Sequence, residues 1–270
     1  MIHSNLLLRL LFIAMSTASS GCHALPVAFA TVEHMTKPTL NHVTHFGSLT
    51  EPRMTEVVKG SDFAVAHTTV GNMDNNCWII ARDGQALLID AADDSAHLLG
   101  VAEELGVEIK DVLTTHQHAD HTRALSEVLQ KTGARHHAPR KDAEALPKPA
   151  DEVYGTEDGT PEQLRLAADA LNSLGLQVVE LRGHTPGGLA VLGKLPDAAS
   201  SSPCAWVGDS VFPGGVGKTS NDEDFQQLLD DVATRIFSLP ADTILFPGHG
   251  DATTVGEEKP KVNEWRARGW

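Results

Sequence analysis

Three histidines and an aspartate fall within six residues of this chain, in the stretch His116-Gln117-His118-Ala119-Asp120-His121. Imidazole and carboxylate together suit Zn, Fe or Mn as ligands. A protein interior buries such groups only at a cost of several kcal/mol unless they are paired or metallated. Val112 and Leu113 lead into the stretch, which places it in the loop at the end of a short buried strand. Side chains alternate along extended backbone, so His116 and His118 point the same way, while Asp120 and His121 begin the next element. One pair can hold one metal and the other pair a second.

Further along, three more metal-capable residues follow small-residue turns at the ends of apolar runs. They are His184 in Gly-His-Thr-Pro-Gly-Gly, Asp209 in Gly-Asp-Ser, and His249 in Pro-Gly-His-Gly. Glycine at such turns lets the backbone approach an ion closely. With the first cluster they make seven candidate ligands, enough for two ions.

The elements that must position these residues are legible from periodicity. Strands are expected over 62–68, 77–81, 86–90, 111–114, 134–138, 177–181, 189–192, 204–207 and 243–246. Asp83-Gly84 between two apolar runs signals a hairpin. Asp94 or Ser95 can cap a helix carrying Leu98, Leu99, Val101, Ala102 and Leu105, with Gly106 as its stop. Further helices are expected over 122–131, 162–174 and from Phe225 to Ile236, where the acidic run Asp222-Glu223-Asp224 suits a helix start. The tail to Trp270 reads as one helix, and 139–160 as helix fragments and a surface loop. His136 and His137 are expected at the surface, and Tyr154, the chain's one tyrosine, in a loop that could touch substrate. Ligands delivered from strand-to-loop junctions in both halves point to two sheets packed face to face with helices outside.

The chain has 270 residues and a net charge of −15, from 36 acidic against 21 basic side chains. A surface that tracks phosphates needs the opposite sign, so nucleic acid is not an expected partner. The three cysteines, Cys22, Cys77 and Cys204, form no Cys-x-x-Cys pair and argue against a disulfide framework. No apolar run reaches the ~18–20 residues of a membrane span. Residues 1–34 are set apart as an N-terminal extension, read either as an export or lipoprotein signal or as a start codon placed too early. Residues 35–270 are read as a single domain, and a cytoplasmic location is the expectation.

His-x-His-x-Asp-His, then Gly-His-Thr-x-Gly, then Gly-Asp-Ser, then Pro-Gly-His resembles the metallo-β-lactamase-fold hydrolase superfamily, in the family's order, from Asp62 to about Gly250. The resemblance implies an α+β, four-layer αβ/βα sandwich with the site at one edge of two mixed sheets. It implies that His116, His118 and His184 bind a first metal, Asp120, His121 and His249 a second, and that Asp209 bridges them. Two divalent ions, zinc first among them with Fe and Mn as alternatives, would share a bridging hydroxide that attacks a carbonyl, with Asp120 also catalytic.

Within the superfamily, the β-lactamases carry Cys where Asp209 stands, which speaks against antibiotic hydrolysis. Gly-Asp-Ser-Val-Phe-Pro-Gly-Gly-Val-Gly-Lys is similar to the matching segment of glyoxalase II, the hydroxyacylglutathione hydrolases. Lys218 matches the lysine that holds the glutathione carboxylate there. Two departures concern the thiol: Ser220 stands where a Tyr is expected, and only about twenty residues follow His249, too few for that family's helical C-terminal domain. The expectation is a binuclear hydrolase of a small anionic thioester or related ester. The alternative is a mononuclear iron persulfide dioxygenase, which Asp224-Phe225-Gln226-Gln227 and Ile236-Phe237-Ser238-Leu239-Pro240 resemble. Its iron would use His116, His184 and Asp209. Those enzymes usually lack the last Gly-His, so the retained His249 favours hydrolysis. A non-catalytic metal-binding protein would be marked by a lost ligand, and none is lost.

Overall fold

The computed structural model describes residues 55–59, 62–156, 163–165, 175–195 and 202–269. Among them, one sheet has seven strands in chain order: β1 (Thr55–Lys59), β2 (Phe63–Val70), β3 (Asn75–Arg82), β4 (Gln85–Ile89), β5 (Glu108–Leu113), β6 (Arg135–Pro139) and β7 (Glu152–Tyr154). The pairs from β1 to β4 are antiparallel, and those from β4 to β7 are parallel. The other sheet runs β15 (Thr253–Thr254), β14 (Ile244–Pro247), β11 (Ser202–Gly208), β10 (Leu189–Leu195), β9 (Gln177–Glu180) and β8 (Gln163–Arg165). Between β11 and β14 in the chain, β12 (Val211–Phe212) and β13 (Gly215–Val216) form a small ribbon.

Period-two alternation sorts the apolar side chains into layers. On β3, Trp78 and Ile80 face the second sheet and join Leu87, Ile89, Val178, Val191, Trp206 and Phe246 in the core between the sheets. The Trp78 and Phe246 rings lie 4.4 Å apart there. Cys77, Ile79 and Ala81 face the other way, onto helices α1 (Ser95–Leu105) and α2 (Leu125–Thr132). The outer face of the second sheet meets Phe225, Leu228 and Leu229 of α3 (Asp222–Asp231), Val232 and Ile236 of the π turn that continues it, and Trp265. Each aliphatic side chain buried in these layers stabilises the fold by about 1.5–3 kcal/mol. The expected four-layer αβ/βα sandwich is therefore what forms.

Local chemistry explains the boundaries. Asp83 and Gly84 both take positive φ, 50° and 78°, as a two-residue hairpin turn requires. Asp94 caps α1 by accepting from His97 N, and Gly106 closes it with φ 71°. Leu98, Val101, Ala102 and Leu105 are its buried stripe. Asn221 caps α3, and Asp222, Glu223 and Asp224 occupy its first turn, where the helix dipole favours negative charge.

Several expectations are corrected. His136 and His137 are buried, at 1% and 0% exposure, because β6 is an interior strand covered on both faces. Their polarity is satisfied locally: His136 Nε2 lies 3.0 Å from Thr114 Oγ1, and His137 bridges Asp111 Oδ1 at 2.8 Å and Tyr154 Oη at 2.9 Å. Tyr154 is accordingly a core residue on β7, not a loop residue facing substrate. Residues 163–165 form strand β8 where a helix was expected, and the rest of that predicted helix lies outside the described residues. The tail is three short pieces, α4 (Val255–Glu258), a 3₁₀ turn and α5 (Val262–Arg268), because Pro260 interrupts it.

Cys77 and Cys204 are buried, Cys77 beneath the helices of the first sheet and Cys204 in the core between the sheets. No helix among the described residues is long and apolar enough to cross a membrane. The N-terminal extension lies outside the described residues. Deleting residues 1–34 is expected to leave melting temperature and metal content unchanged, since no candidate ligand precedes His116. A fall of several degrees in the melt of the truncated chain would refute this.

Candidate metal centre

Strand direction gathers the candidate ligands at one edge. β9 and β11 are both antiparallel to β10, and β14 is parallel to β11, so the three run the same way. Their C-terminal ends deliver His184, Asp209 and His249. In the first sheet β5 ends at Leu113 and delivers His116 and His118, and a 3₁₀ turn, Ala119–His121, carries Asp120 and His121. The Leu189 N–H donates to Thr115 O at 2.8 Å, and the Gly248 N–H to Gly208 O at 2.9 Å, tying the loops to one another.

All seven candidate ligands converge, in three overlapping groups: His116, His118 and His184; His116, His121 and Asp209; and Asp120, His121 and His249. Within each group the ligand atoms lie within 4.8 Å of one another. His116 Nε2 lies 3.1 Å from His118 Nδ1, and His121 Nε2 lies 3.2 Å from His249 Nε2. Asp120 Oδ2 is 3.2 Å from His249 Nε2 and 3.5 Å from His121 Nε2. Asp209 stands between the groups, with Oδ1 3.4 Å from His121 Nε2 and Oδ2 3.6 Å from both His184 Nε2 and His249 Nε2. Two nitrogens on one tetrahedral zinc, each ~2.0–2.1 Å from it, sit ~3.3 Å apart, so these spacings fit shared ions. His184 Nε2 is buried with no hydrogen-bond partner, an arrangement that a cation would satisfy.

The backs of the imidazoles are fixed. His121 Nδ1 lies 2.7 Å from Asp90 Oδ2, His184 Nδ1 lies 2.6 Å from Lys218 O, and His249 Nδ1 lies 2.9 Å from Met73 O. His116 Nδ1 lies 3.0 Å from Thr115 Oγ1, which itself donates to Asp90 Oδ2 at 2.8 Å. Such outer partners set ring orientation and tautomer in metal sites. Space is as tight as glycine allows. A Cβ on Gly248 would overlap Asp209 Oδ1 and come within 2.6 Å of His121 Cε1, and one on Gly208, at φ 49°, would lie 2.9 Å from Thr115 Cβ.

Protonation states in the metal-free chain mostly favour a cation. Burial, then the neighbouring imidazoles, hold His116 well below the usual histidine range, and burial also lowers His184. Burial raises the Asp120 carboxyl, but the Asn75 hydrogen bond and the charge of His121 outweigh it and the net shift is downward. Asp209 is likewise lowered, because the hydrogen bond and charge of His121 overcome burial. His121 is the exception: burial lowers it, yet Asp90 and Asp209 push it up to about 10.

Four further residues hold the site and escaped the sequence reading. Asp90 follows β4 directly and accepts from the Thr115 N–H at 2.7 Å. Asp142, fully buried, accepts from the Gln117 N–H at 3.0 Å and the Gly187 N–H at 2.8 Å, stapling the His116 loop to the His184 loop. Asn75 and Asn76 begin β3 and reach Asp120 and the His249 turn. An aspartate closing an apolar run is the signal that could have found Asp90, and the polar run Asp74-Asn75-Asn76 before one could have found the asparagines, whereas Asp142 carries no such signal. Lys218 is exposed, on the turn whose carbonyl holds His184.

The model of the metallo-β-lactamase superfamily matches residues 70–249, which contain every candidate ligand. The chain is 30% identical over 200 residues to the hydroxyacylglutathione hydrolase GloC of Haemophilus influenzae, covering 68% of this chain and 89% of that one. It is 28% identical to the hydroxyacylglutathione hydrolase of Methylobacillus flagellatus, covering 65% of this chain but only 62% of the relative. Among solved structures, TTHA1623 in a di-iron-bound form is similar with a TM-score of 0.55 and 29% identity, over 70% of this chain and 94% of that one. Family match, fold and converging ligands agree: the chain belongs to the metallo-β-lactamase superfamily.

Proposed function

We propose that this protein is a binuclear metal-dependent hydrolase of a thioester or related ester, resembling the hydroxyacylglutathione hydrolases. The observation that carries the reading is the convergence of all seven ligand residues into overlapping groups, with Asp209 within 3.6 Å of His121, His184 and His249. His116, His118 and His184 would hold one ion, Asp120, His121 and His249 another, with Asp209 between them. Zinc is the proposed metal, and the donor set also suits Fe or Mn. When bound, such ions lower the pKa of water to near neutrality and polarise a carbonyl oxygen. The chain's own side chains supply the rest. Asp90 keeps the His121 ring turned toward the site. Asp120 takes the proton of the attacking water on its carboxylate. Lys218, exposed beside His184, binds the carboxylate of an anionic substrate. Relatives named hydroxyacylglutathione hydrolases and a di-iron neighbour support this reading.

The test is a rate comparison on one metal-replete sample. Hydroxyacylglutathione and other acyl thioesters should be hydrolysed, with release of the free thiol. Oxygen uptake on a glutathione persulfide without thioester hydrolysis would replace this reading with the dioxygenase one. Lys218→Ala should raise KM for an anionic thioester about tenfold and leave kcat nearly unchanged, because the ion pair forms equally in ground and transition states. An unchanged KM in steady-state assays would remove Lys218 from the substrate site.

A further inference from the structure

The seven ligands are not held by one common scaffold. His116, His118 and His184 sit on loops stapled together by Asp142. Asp120 and His249 are gripped by the opening of β3. The Asn75 backbone forms an isolated antiparallel bridge with His249. The Asn76 N–H donates to Gly248 O at 2.7 Å, and its Nδ2 donates to Pro247 O at 2.9 Å and Gly250 O at 3.0 Å. Met73 O meets the His249 ring from the turn just before. Above this clamp sits the Asn75 side chain, with no solvent exposure. Its Nδ2 donates to Asp120 Oδ2 at 3.0 Å and lies 3.3 Å from His249 Nε2. Those are the two atoms that face the second ion in the reading above. Both of these Asn75 amide contacts are to ligands assigned to the second ion.

We infer that Asn75 is a positioning residue for the second metal alone: its amide N–H orients the Asp120 carboxylate against His249, and so sets how tightly that ion binds without affecting the first. The inference rests on the binuclear reading of the site. An ionised carboxylate free to rotate offers its oxygens over a wide arc. A buried donor on Oδ2 fixes one direction while leaving a lone pair for the ion. Loss of an outer-shell partner of this kind typically costs about 10–100-fold in metal affinity. Leucine is close to asparagine in shape and has no donor, so Asn75→Leu removes the hydrogen bond and little volume.

The experiment titrates Zn²⁺ into metal-free, full-length protein against a chromophoric chelator, while NMR follows the histidine rings. Wild type should take two ions per chain. Asn75→Leu should bind the first unchanged, with the rings of His116 and His184 responding as in wild type. The second should bind about 10–100-fold more weakly, with His121 and His249 responding only then. Asp142→Ala should show the reverse order of damage. In wild type, the Asn75 side-chain amide signals should shift at the second equivalent and not at the first, a readout that needs no variant to fold. Wild-type affinity for both ions in Asn75→Leu overturns the inference, as does equal weakening of both or an amide that responds to the first ion. A wild-type protein that binds only one ion overturns the binuclear reading itself, and the inference with it.

Discussion

Asp120→Asn is expected to lower kcat on the best substrate by about 10²–10⁴-fold, the usual loss when a positioned general base is removed. The change keeps the shape of the side chain and removes its charge. In the structure Asp120 Oδ2 lies 3.2 Å from His249 Nε2 and accepts from Asn75 Nδ2 at 3.0 Å. An amide there can still accept from Asn75 through its oxygen, so local packing should survive. It is a poor ligand and no base at all. Both losses fall on the chemical step, so kcat should drop more than KM changes, in contrast to Lys218→Ala. Stopped-time assays at saturating substrate, with metal content measured on the same samples, check this. Near wild-type kcat in Asp120→Asn would remove Asp120 from the mechanism proposed here.

The second large effect falls on stability, through a residue outside the ligand set. Asp90 is 1% exposed and accepts three hydrogen bonds, from the Thr115 N–H, the Thr115 hydroxyl and the His121 ring. Asp90→Ala leaves these donors buried and unpaired. It also places alanine at φ 58°, where aspartate is tolerated better. Removing one partner of a buried ion pair costs about 3–5 kcal/mol. For a domain of this size that is roughly 6–20 °C in the melt of the metal-free protein. The pH dependence has a definite sign. His121 is raised from an ordinary 6.5 to about 10, so its charged pair with Asp90 contributes fully below pH 6.5 and fades as pH rises through 10. The gap between wild type and variant should therefore be widest at pH 6.5 or below and narrower near pH 10. Hydrogen bonds to Thr115 would keep it from closing. Melts within 2 °C of each other at pH 6.5 would show that Asp90 is dispensable.

The ligands were legible because their chemistry is local. Imidazole and carboxylate at spacings of one or two residues, or beside glycine at a strand end, have few uses other than binding a cation. The strands were legible for a similar reason, since Trp78 and Ile79 must fall on opposite faces of β3 and both are apolar. What was not legible depends on contacts across the fold. His136 and His137 look like surface residues until β6 is placed between β5 and β7, where Asp111, Thr114 and Tyr154 become their partners. Asp90 and His121 are 31 residues apart, and Asn75 and His249 are 174 apart. No periodicity reports such pairs. The short strand β8 went unseen because three residues give no alternation to read.

Metal stoichiometry tests the central claim most directly. Elemental analysis of the purified, metal-replete chain should find two divalent ions per polypeptide, one for His116, His118 and His184 and one for Asp120, His121 and His249, with Asp209 between them. One tightly held iron with no second ion taken up at saturating metal would contradict the binuclear hydrolase and leave His121 and His249 without the role assigned to them.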